Sequence, residues 1–431
     1  MEQSRSDRDH EIIGRQELAM VSGEPRESTL RAILDRHSRA RHREDTTISR
    51  RVVDFRPDPD AVLVVADEVL VRSRDAGRAA QVLSDAGITH DEPEPVDCGR
   101  AEFTLPISRL RVPPNQLETA VLTLHTEKIE ASFNHALPSG PVVKGGGSGP
   151  GKPTGAGLST AADPSAGKGV VVAIIDTGIA ANASQLHPVV LSGVGATAEN
   201  IDPLDTLAPA GLDYGAGHGT FVAGVVRQVA PAADVRLYRA LDSDGIGSEV
   251  DVACAMLRAA LEDGANVINL SLGQQSFGDR PPIALTAAIE MLPPEVIVVA
   301  AAGNDGSSRP CWPAAFRRVV AVGARANSGD RATYSNWGSW VDASTLGSGI
   351  ISTFVQGKEV LDTSGHNDDW SDDDAPLAIW SGTSFAAPQI AGLIAAGVAT
   401  HGSPRAALNA ILSTGSPEPD MGMTITSPLT G

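Results

Sequence analysis

Three stretches decide the fold of this chain: AIIDTG (173–178), HGTFVAG (218–224) and GTSFAAP (382–388). They present a carboxylate, an imidazole and a hydroxyl in the order Asp176, His218, Ser384, each beside glycines. A serine hydroxyl is a poor nucleophile near neutral pH, so it needs a base to take its proton as it attacks a carbonyl carbon. We therefore interpret Ser384 as a nucleophile, His218 as its base and Asp176 as the group that orients the imidazole.

A fourth stretch, AAAGN (300–304), follows an apolar run and ends in an amide side chain. Acyl transfer needs donors aimed at the negative charge that develops on the carbonyl oxygen. Asn304 and the backbone N–H of Ser384, at the start of a predicted helix, are the candidate donors. The sequence thus predicts a nucleophile, a base, an orienting acid and an oxyanion hole.

Apolar runs and helical patterns alternate through the second half of the chain. Near-continuous apolar strands are predicted at 170–175, 235–240, 267–272, 296–301 and 319–322, with helices at 221–229, 249–262 and 283–291. Such strands are typical of a parallel sheet buried on both faces. This order favours an α/β, doubly wound, mostly parallel sheet, with Asp176 and Asn304 at strand carboxyl ends.

The four motifs together resemble the signature of subtilisin-like serine proteases, the subtilases, over residues 169–414. The resemblance implies a serine endopeptidase that hydrolyses protein or peptide substrates through an acyl-enzyme on Ser384. It also implies substrate-binding positions on two strands and around one pocket: Gly245, Ile246, Gly247, Ser271, Leu272, Gly273, Ala302, Gly303 and Cys311. A small thiol at the pocket base predicts a medium to large uncharged substrate side chain.

Residues 51–137 follow a β-α-β-β-α-β order, which favours a small α+β, ferredoxin-like domain. This unit resembles the inhibitory propeptide of subtilases, whose carboxyl tail lies in the substrate cleft. The resemblance makes Asn134, His135, Ala136 and Leu137 the candidate inhibitory tail and the domain an intramolecular inhibitor. An unrelated recognition module on the same common fold remains the alternative.

The other segments carry weaker patterns. Residues 1–50 are charged and predicted to be mostly disordered or a docking arm. Residues 138–168 are rich in Gly, Ser and Pro and are predicted to be a flexible linker, and 415–431 form a tail. Cys98, Cys254 and Cys311 are widely spaced, so we interpret them as small buried hydrophobes rather than a disulfide framework or metal ligands.

Charge and composition restrict the classes of binding partner and the location that the sequence predicts. The formal net charge of −19 argues against nucleic acid as a partner and is compatible with attraction of cationic substrates. Neither a signal peptide nor a membrane span is recognised, which predicts a cytoplasmic location unless a non-standard export route exists.

No cofactor is expected, and the calcium-binding loop usual in the family is missing between His218 and the strand at 235. Six aspartates crowd one insertion (Asp362, Asp368, Asp369, Asp372, Asp373 and Asp374). This insertion is either a solvated loop, a weak cation site or a docking surface for a basic partner.

Two other functions stay open at this level. One is a binding protein on an inactive protease fold, although all four chemical groups are competent. The other is an enzyme of the same family that passes the acyl group to an amine instead of water, using the same residues.

Overall fold

The structure is a computed structural model that describes residues 6–21, 52–55, 62–99, 103–139, 148–154, 157–159, 161–206, 211–360 and 367–429. They form an N-terminal helix, a small α+β domain and a large α/β domain. Part of the predicted linker (140–147) and Asp362 of the acidic insertion lie outside the described residues.

The chain begins with helix α1 (Asp7–Val21) and then builds the small domain. Its elements are β1 (Val52–Phe55), β2 (Val62–Arg72), α2 (Ala76–Asp85), β3 (Glu94–Pro95), β4 (Ile107–Arg111), α3 (Leu117–Thr126) and β5 (Ala131–Pro138). The sheet order is β3-β4-β2-β5, all antiparallel, with β1 added against β2. The ferredoxin-like prediction is confirmed, and β1 is an additional strand.

Strand β2 is buried on both faces, which explains why this small sheet does not stand alone. Val69 and Val71 pack with helices α2 and α3 in the domain's own core. Leu70, on the opposite face, joins the core of the large domain together with Ile107 of β4. A sheet with one apolar face left over must bury it against another element.

The large domain contains a doubly wound sheet with strand order β15-β16-β12-β11-β10-β9-β6-β7. Its pairs are parallel from β7 to β16, and β15 and β16 form an antiparallel pair at the edge. The predicted fold class is confirmed. The strands are β6 (Val171–Asp176), β7 (Asp234–Arg239), β8 (Ile246–Ser248), β9 (Val267–Leu270), β10 (Ile297–Ala301), β11 (Val319–Arg325), β12 (Ala343–Leu346), β13 (Ile350–Thr353), β14 (Leu377–Trp380), β15 (Ser416–Glu418) and β16 (Gly422–Thr424).

Helices cover both faces of this sheet. They are α4 (Ala183–Leu186), α5 (His218–Val229), α6 (Glu249–Leu257, continued by a π turn), α7 (Ile283–Met291), α8 (Thr383–His401) and α9 (Pro404–Thr414). Helices α5 and α8 pack on one face, and α6 and α7 on the other. Among the described helices, α8 alone has the length and apolar composition of a membrane span, but 67% of that window is buried in the protein.

Within the predicted segment 1–50 the structure describes residues 6–21, where helix α1 is docked, which fits the docking-arm alternative rather than disorder; 1–5 and 22–50 lie outside the described residues. Ile12 and Ile13 pack on Ile379 of β14. Gln16 is fully buried: its Nε2 donates to the carbonyl oxygens of Gly149 (2.8 Å) and Ile379 (3.0 Å). The helix was missed because its partner surface lies more than 350 residues away in the chain.

The flexible-linker prediction is wrong for the parts of 138–168 that the structure describes. Gly151 exchanges two backbone hydrogen bonds with Ile379, and the Trp380 indole N–H donates to the Ser148 carbonyl. Further on, the Ala161 N–H donates to the Gln228 carbonyl. The exposed edge of β14 satisfies backbone groups that a free Gly-rich chain would leave to water. Likewise, 415–431 is not a loose tail, since β15 and β16 complete the main sheet.

Cys98 and Cys254 form a disulfide, which corrects the interpretation of them as isolated hydrophobes. Cys98 lies between β3 and β4 of the small domain and Cys254 lies on α6 of the large one, 156 residues apart in sequence. Docking of the small sheet on α6 and α7 brings them together, a proximity that spacing alone does not reveal. Cys311 is buried and stands outside the disulfide, as expected for a small core residue.

Candidate active site

The acid and the base meet where β6 ends and α5 begins. His218 Nδ1 lies 2.7 Å from Asp176 Oδ1, and both side chains are buried. Because Nδ1–H donates to the carboxylate, Nε2 is left as the proton acceptor. Among the described residues, Nε2 has no hydrogen-bond partner. The rings of Trp380 and Phe385, each centred 5.5 Å away, hold the imidazole in place.

Ser384 is the second residue of α8 and is buried next to the strand segment that follows β9. Its hydroxyl donates to the Ser271 carbonyl (3.2 Å), and the Ser271 hydroxyl donates to the Ser384 carbonyl (2.8 Å). The Ser384 hydroxyl is therefore bonded to Ser271 rather than to His218. Catalytic hydrogen bonds are often long or absent without substrate and tighten only when it binds, so this arrangement is compatible with a Ser384–His218 pair.

Asn304 follows β10 and is oriented by the residue before the nucleophile. Its Oδ1 accepts from both the backbone N–H (2.9 Å) and the hydroxyl (3.0 Å) of Thr383. With its oxygen held this way, the amide turns its Nδ2 donor away from Thr383. The side chain is thus fixed beside the start of α8, where an oxyanion donor belongs.

Glycines let the two halves of the acid–base pair approach each other. A Cβ at Gly219, directly after the base, would lie 2.1 Å from the carbonyl oxygen of Gly178. The segment after Asp176 and the segment after His218 therefore pack backbone against backbone. A side chain at Gly219 would push the imidazole away from its carboxylate.

The carboxyl end of β5 runs between the two predicted substrate-binding strands. Ala136, Leu137 and Pro138 pair antiparallel with β8, and the Ser139 N–H donates to the Gly245 carbonyl (2.7 Å). On the other side, the Gly273 N–H donates to the Pro138 carbonyl (2.9 Å). The segment 136–139 thus occupies a strand position between 245–248 and 272–273.

Two residues of the predicted tail, Asn134 and His135, lie before this cleft. Asn134 Nδ2 donates to Glu68 within the small domain (2.7 Å). The His135 imidazole lies 3.6 Å from Glu249, the first residue of α6. Burial raises the pKa of the Glu249 carboxyl, and the nearby His135 opposes that rise. The cleft-binding segment therefore begins two residues later than predicted.

Gly245 and Gly247, both predicted to bind substrate, need to be glycine for different physical reasons. A Cβ at Gly245 would meet the Ser139 hydroxyl at 2.3 Å, so this glycine makes room for the bound strand. A Cβ at Gly247 would instead meet the Ala240 carbonyl at 2.0 Å, inside the large domain. Only Gly245 fits the expectation that glycine avoids an incoming strand, while Gly247 permits local packing. Ile246, between them, is buried and pairs with Pro138.

The pocket residues converge around Cys311. A Cβ at Gly273 would lie 3.2 Å from the Cys311 sulfur, and one at Gly303 would lie 3.0 Å from it. Ala302 and Leu272 are buried alongside. The structure therefore brings Ser271–Gly273, Ala302–Gly303 and Cys311 together on the side of the cleft that adjoins Asn304.

Asp202 is a buried carboxylate that sequence reasoning missed. Its Oδ2 accepts from the Thr177 hydroxyl (3.0 Å) and from the Gly217 N–H (2.9 Å). Thr177 follows Asp176 and Gly217 precedes His218, so Asp202 joins the two catalytic segments. Burial raises the pKa of Asp202 to about 7, against these hydrogen bonds, which lower it. No motif marks this position, because Asp202 lies outside the motif stretches and only its partners lie in them or next to them.

Basic groups from the amino-terminal part of the same chain contact the acidic insertion. Arg8 of α1 lies 2.8 Å from Asp368, and Lys152 Nζ lies 2.7 Å from Asp373. Trp370 is fully buried, so the insertion is anchored in the core as well as solvated. In the part of the chain that the structure describes, no three His, Cys, Asp or Glu side chains are grouped to hold a metal ion.

An Asp–His pair next to a serine at a helix start, on a doubly wound sheet, defines a serine hydrolase. The model of the subtilase family matches residues 167–414. The chain belongs to the subtilase family, and this region is a subtilisin-like serine endopeptidase domain.

Several relatives share this domain. A thermophilic serine proteinase of Bacillus sp. (strain AK1) is 34% identical over 237 residues, which cover 53% of this chain and 51% of the relative. Thermitase of Thermoactinomyces vulgaris is 31% identical over 241 residues, 54% of this chain and 75% of the relative. A solved lanthipeptide protease structure is 24% identical with a TM-score of 0.49, covering 61% of this chain and 86% of its own. The chain thus spans about half the length of the first of these relatives.

Proposed function

We propose that the whole chain is a serine endopeptidase that its own N-terminal domain keeps inactive. The observation that carries this proposal is the strand 136–139, which lies between the two substrate-binding strands beside a competent acid–base pair. A peptide substrate binding as an extended strand would need the same backbone groups of Gly245 and Gly273.

The chemistry follows from the positions of four groups. His218 Nε2 takes the proton from Ser384 Oγ as the oxygen attacks the peptide carbonyl. Asp176 keeps the ring in the required tautomer and stabilises the imidazolium that forms. Asn304 Nδ2 and the Ser384 N–H donate to the oxyanion. His218 then protonates the leaving amine, and water repeats the cycle to release the acyl group from Ser384.

Autoinhibition is supported by how firmly the small domain is held. Leu137 is fully buried, Arg72 pairs with Glu290 of α7 at 3.0 Å, and the Gln274 side chain bonds both the N–H and the carbonyl of Leu63. These contacts bind the whole domain, so its tail competes with substrate at high local concentration. Substrate access requires the small domain to leave or the tail to be displaced.

The remaining assignments belong to the same proposal. We expect the reaction to need no resident cofactor and the family's tight calcium site to be absent, with at most a weak cation at the acidic insertion. The substrate is a protein or peptide with a medium to large uncharged side chain before the scissile bond, for which the small Cys311 thiol at the pocket base leaves room. The cytoplasm stays one proposed location, where the Cys98–Cys254 disulfide would be a redox-sensing bond, and non-standard export is the alternative, where the bond would persist.

Covalent labelling with a peptidyl phosphonate tests the catalytic part of the proposal. We expect labelling at Ser384 and peptide hydrolysis in the wild-type chain once the small domain is displaced, and neither in Ser384→Ala. Ser413→Ala, an exposed serine of α9, is the matched control and should behave as wild type. A labelled, active Ser384→Ala variant, or an unlabelled wild-type chain with a free cleft, would exclude this mechanism.

A further inference from the structure

The disulfide between Cys98 and Cys254 joins the small domain to the enzyme domain directly. We propose that it is a thiol-exchange site, which a dithiol reductant opens, and that its redox state decides whether the cut N-terminal domain can leave the cleft. This inference rests on the proposed autoinhibition and adds a second, covalent layer to it.

The order of the residues along the chain makes the bond a latch. Cys98 precedes the cleft-binding strand 136–139, and Cys254 follows the segment 140–147 that connects this strand to the large domain. Cutting the chain within 140–147 therefore breaks the polypeptide between the two domains, but the Cys98–Cys254 disulfide still links the two fragments covalently. In the oxidised form the inhibitor stays attached after proteolysis.

A retained tether has a large effect on inhibition. A domain that dissociates from the cleft while still linked returns as an intramolecular partner at millimolar effective concentration. Cys254 lies on α6, the helix against which the small sheet packs, so the link holds the domain close to its binding site. Proteolysis alone then leaves the cleft occupied, and after reduction the inhibitor is held only by non-covalent contacts, those of α1 included, so that dilution can remove it.

The bond is placed where a reductant can reach it. Cys98 and Cys254 are both partly exposed, whereas Cys311 is fully buried. A crevice of about 710 Å³ between the two domains is lined by both cysteines and by Asp97, Asp251 and Arg258. Arg258, one helical turn after Cys254, pairs with Glu199 (2.7 Å).

The exchange balances with a dithiol as the only co-reactant. One thiolate of the reductant attacks a sulfur of the Cys98–Cys254 bond, forms a mixed disulfide and displaces the other cysteine as a thiolate. The second thiol of the reductant then displaces the remaining cysteine. Two electrons and two protons pass to the protein, which gains two thiols, and the reductant leaves as a disulfide.

The test uses the full chain with a recognition site for an exogenous, sequence-specific protease replacing Gly145-Gly146-Gly147. The oxidised protein is cut completely, diluted and assayed for peptide hydrolysis with and without dithiothreitol. Without reductant we expect the two fragments to run together on a non-reducing gel and activity to stay low. With reductant we expect the fragments to separate. The rate of peptide hydrolysis should then rise by about 10²-fold, because tethering two binding partners strengthens their association by at least about that factor.

Two controls keep the outcome unambiguous. The double variant Cys98→Ser/Cys254→Ser should become active on cutting and dilution alone, and its activity should not change when dithiothreitol is added. If that variant fails to fold, the chain with the inserted protease site and both cysteines, cut, reduced and capped with iodoacetamide, replaces it. The latch is wrong if oxidised, cut protein is as active as reduced protein or its fragments separate without reductant. If the fragments separate on reduction but Ser384 stays unlabelled and inactive, the proposed enzyme function fails instead.

Discussion

At the scale of single residues, Asn304 shows how one neighbouring residue can orient an amide toward the proposed oxyanion hole. Its oxygen accepts two hydrogen bonds from Thr383, which fixes the direction of its nitrogen. We expect Asn304→Ala to lower kcat by roughly 10²–10³ with little change in KM, the loss known for an oxyanion donor in a subtilase. Steady-state kinetics of the displaced-inhibitor form, with phosphonate labelling to confirm an intact Ser384, is the measurement. An unchanged kcat would remove Asn304 from the oxyanion hole.

Asp202 predicts a pH dependence of stability. Because burial raises its pKa to about 7 from the ordinary 3.8, the native state keeps a proton that the unfolded state has released between those values. Stability contributed by this group is therefore present at low pH and is lost as pH rises toward 7. A tenfold difference in proton affinity between the two states corresponds to about 1.4 kcal/mol.

Asp202→Asn removes that titration while retaining an acceptor for Gly217. We expect the stability of wild type relative to Asp202→Asn to fall between about pH 4 and about pH 7 and then to level off. Urea unfolding across this range measures it. Asp205→Asn, an exposed neighbour, should show no such trend. A wild-type advantage that grows with pH would contradict the buried, protonated carboxyl.

Residue chemistry explains why the sequence singled out the groups of the candidate site but not Asp202. Asp176, His218, Ser384 and Asn304 sit in short motifs whose glycines and neighbours are fixed by close packing, such as Gly219 against Gly178. Asp202 acts through the backbone of Gly217 and the hydroxyl of Thr177. Any of several aspartates between Asp176 and His218 could have reached them, so the sequence offers no local signal.

At the scale of elements, the carboxyl end of β5 carries the proposed inhibition. Leu137 pairs with β8 and is fully buried in the core of the large domain, and burying a leucine side chain contributes about 1.5–3 kcal/mol. Leu137→Asp places a charge in this apolar site and should weaken binding of the small domain. We therefore expect the cut, reduced variant to lose its inhibitor, and become active, at higher protein concentrations than wild type, that is, after less dilution. Peptide hydrolysis against dilution measures this. Leu122→Asp, on an exposed face of the same domain, is the control and should match wild type.

Element predictions succeeded where the apolar pattern was local and failed where the partner was distant. The helix predicted at 283–291 has the bounds of α7, because its buried face is set by its own sequence. Helix α1 depends on Ile379 and Ser381, and residues 148–151 depend on the edge of β14. Their sequences read as polar or Gly-rich because the surface that orders them comes from elsewhere in the chain.

At the scale of the whole molecule, docking decides features that no segment shows alone. The small sheet buries one face on α2 and α3 and the other on α6 and α7. The near-continuous apolar run of β2 is the sequence signal of this two-sided burial. Once the sheet is docked, Cys98 meets Cys254, and β5 reaches β8 as a continuation of the same sheet. Both follow from packing between domains rather than from a motif.

The net charge gives a last prediction about substrate choice. Residues 140–431 carry 28 acidic and 15 basic side chains, so the enzyme domain remains strongly negative after the small domain leaves. Such a field raises the encounter rate of cationic substrates and is screened by salt, with a Debye length of about 10 Å at 0.1 M. We expect kcat/KM for a peptide with distal lysines to fall about two- to tenfold from low to high ionic strength. An otherwise identical peptide with glutamines in those positions should change little. Equal salt dependence of the two peptides would show that the acidic surface serves solubility and not substrate attraction.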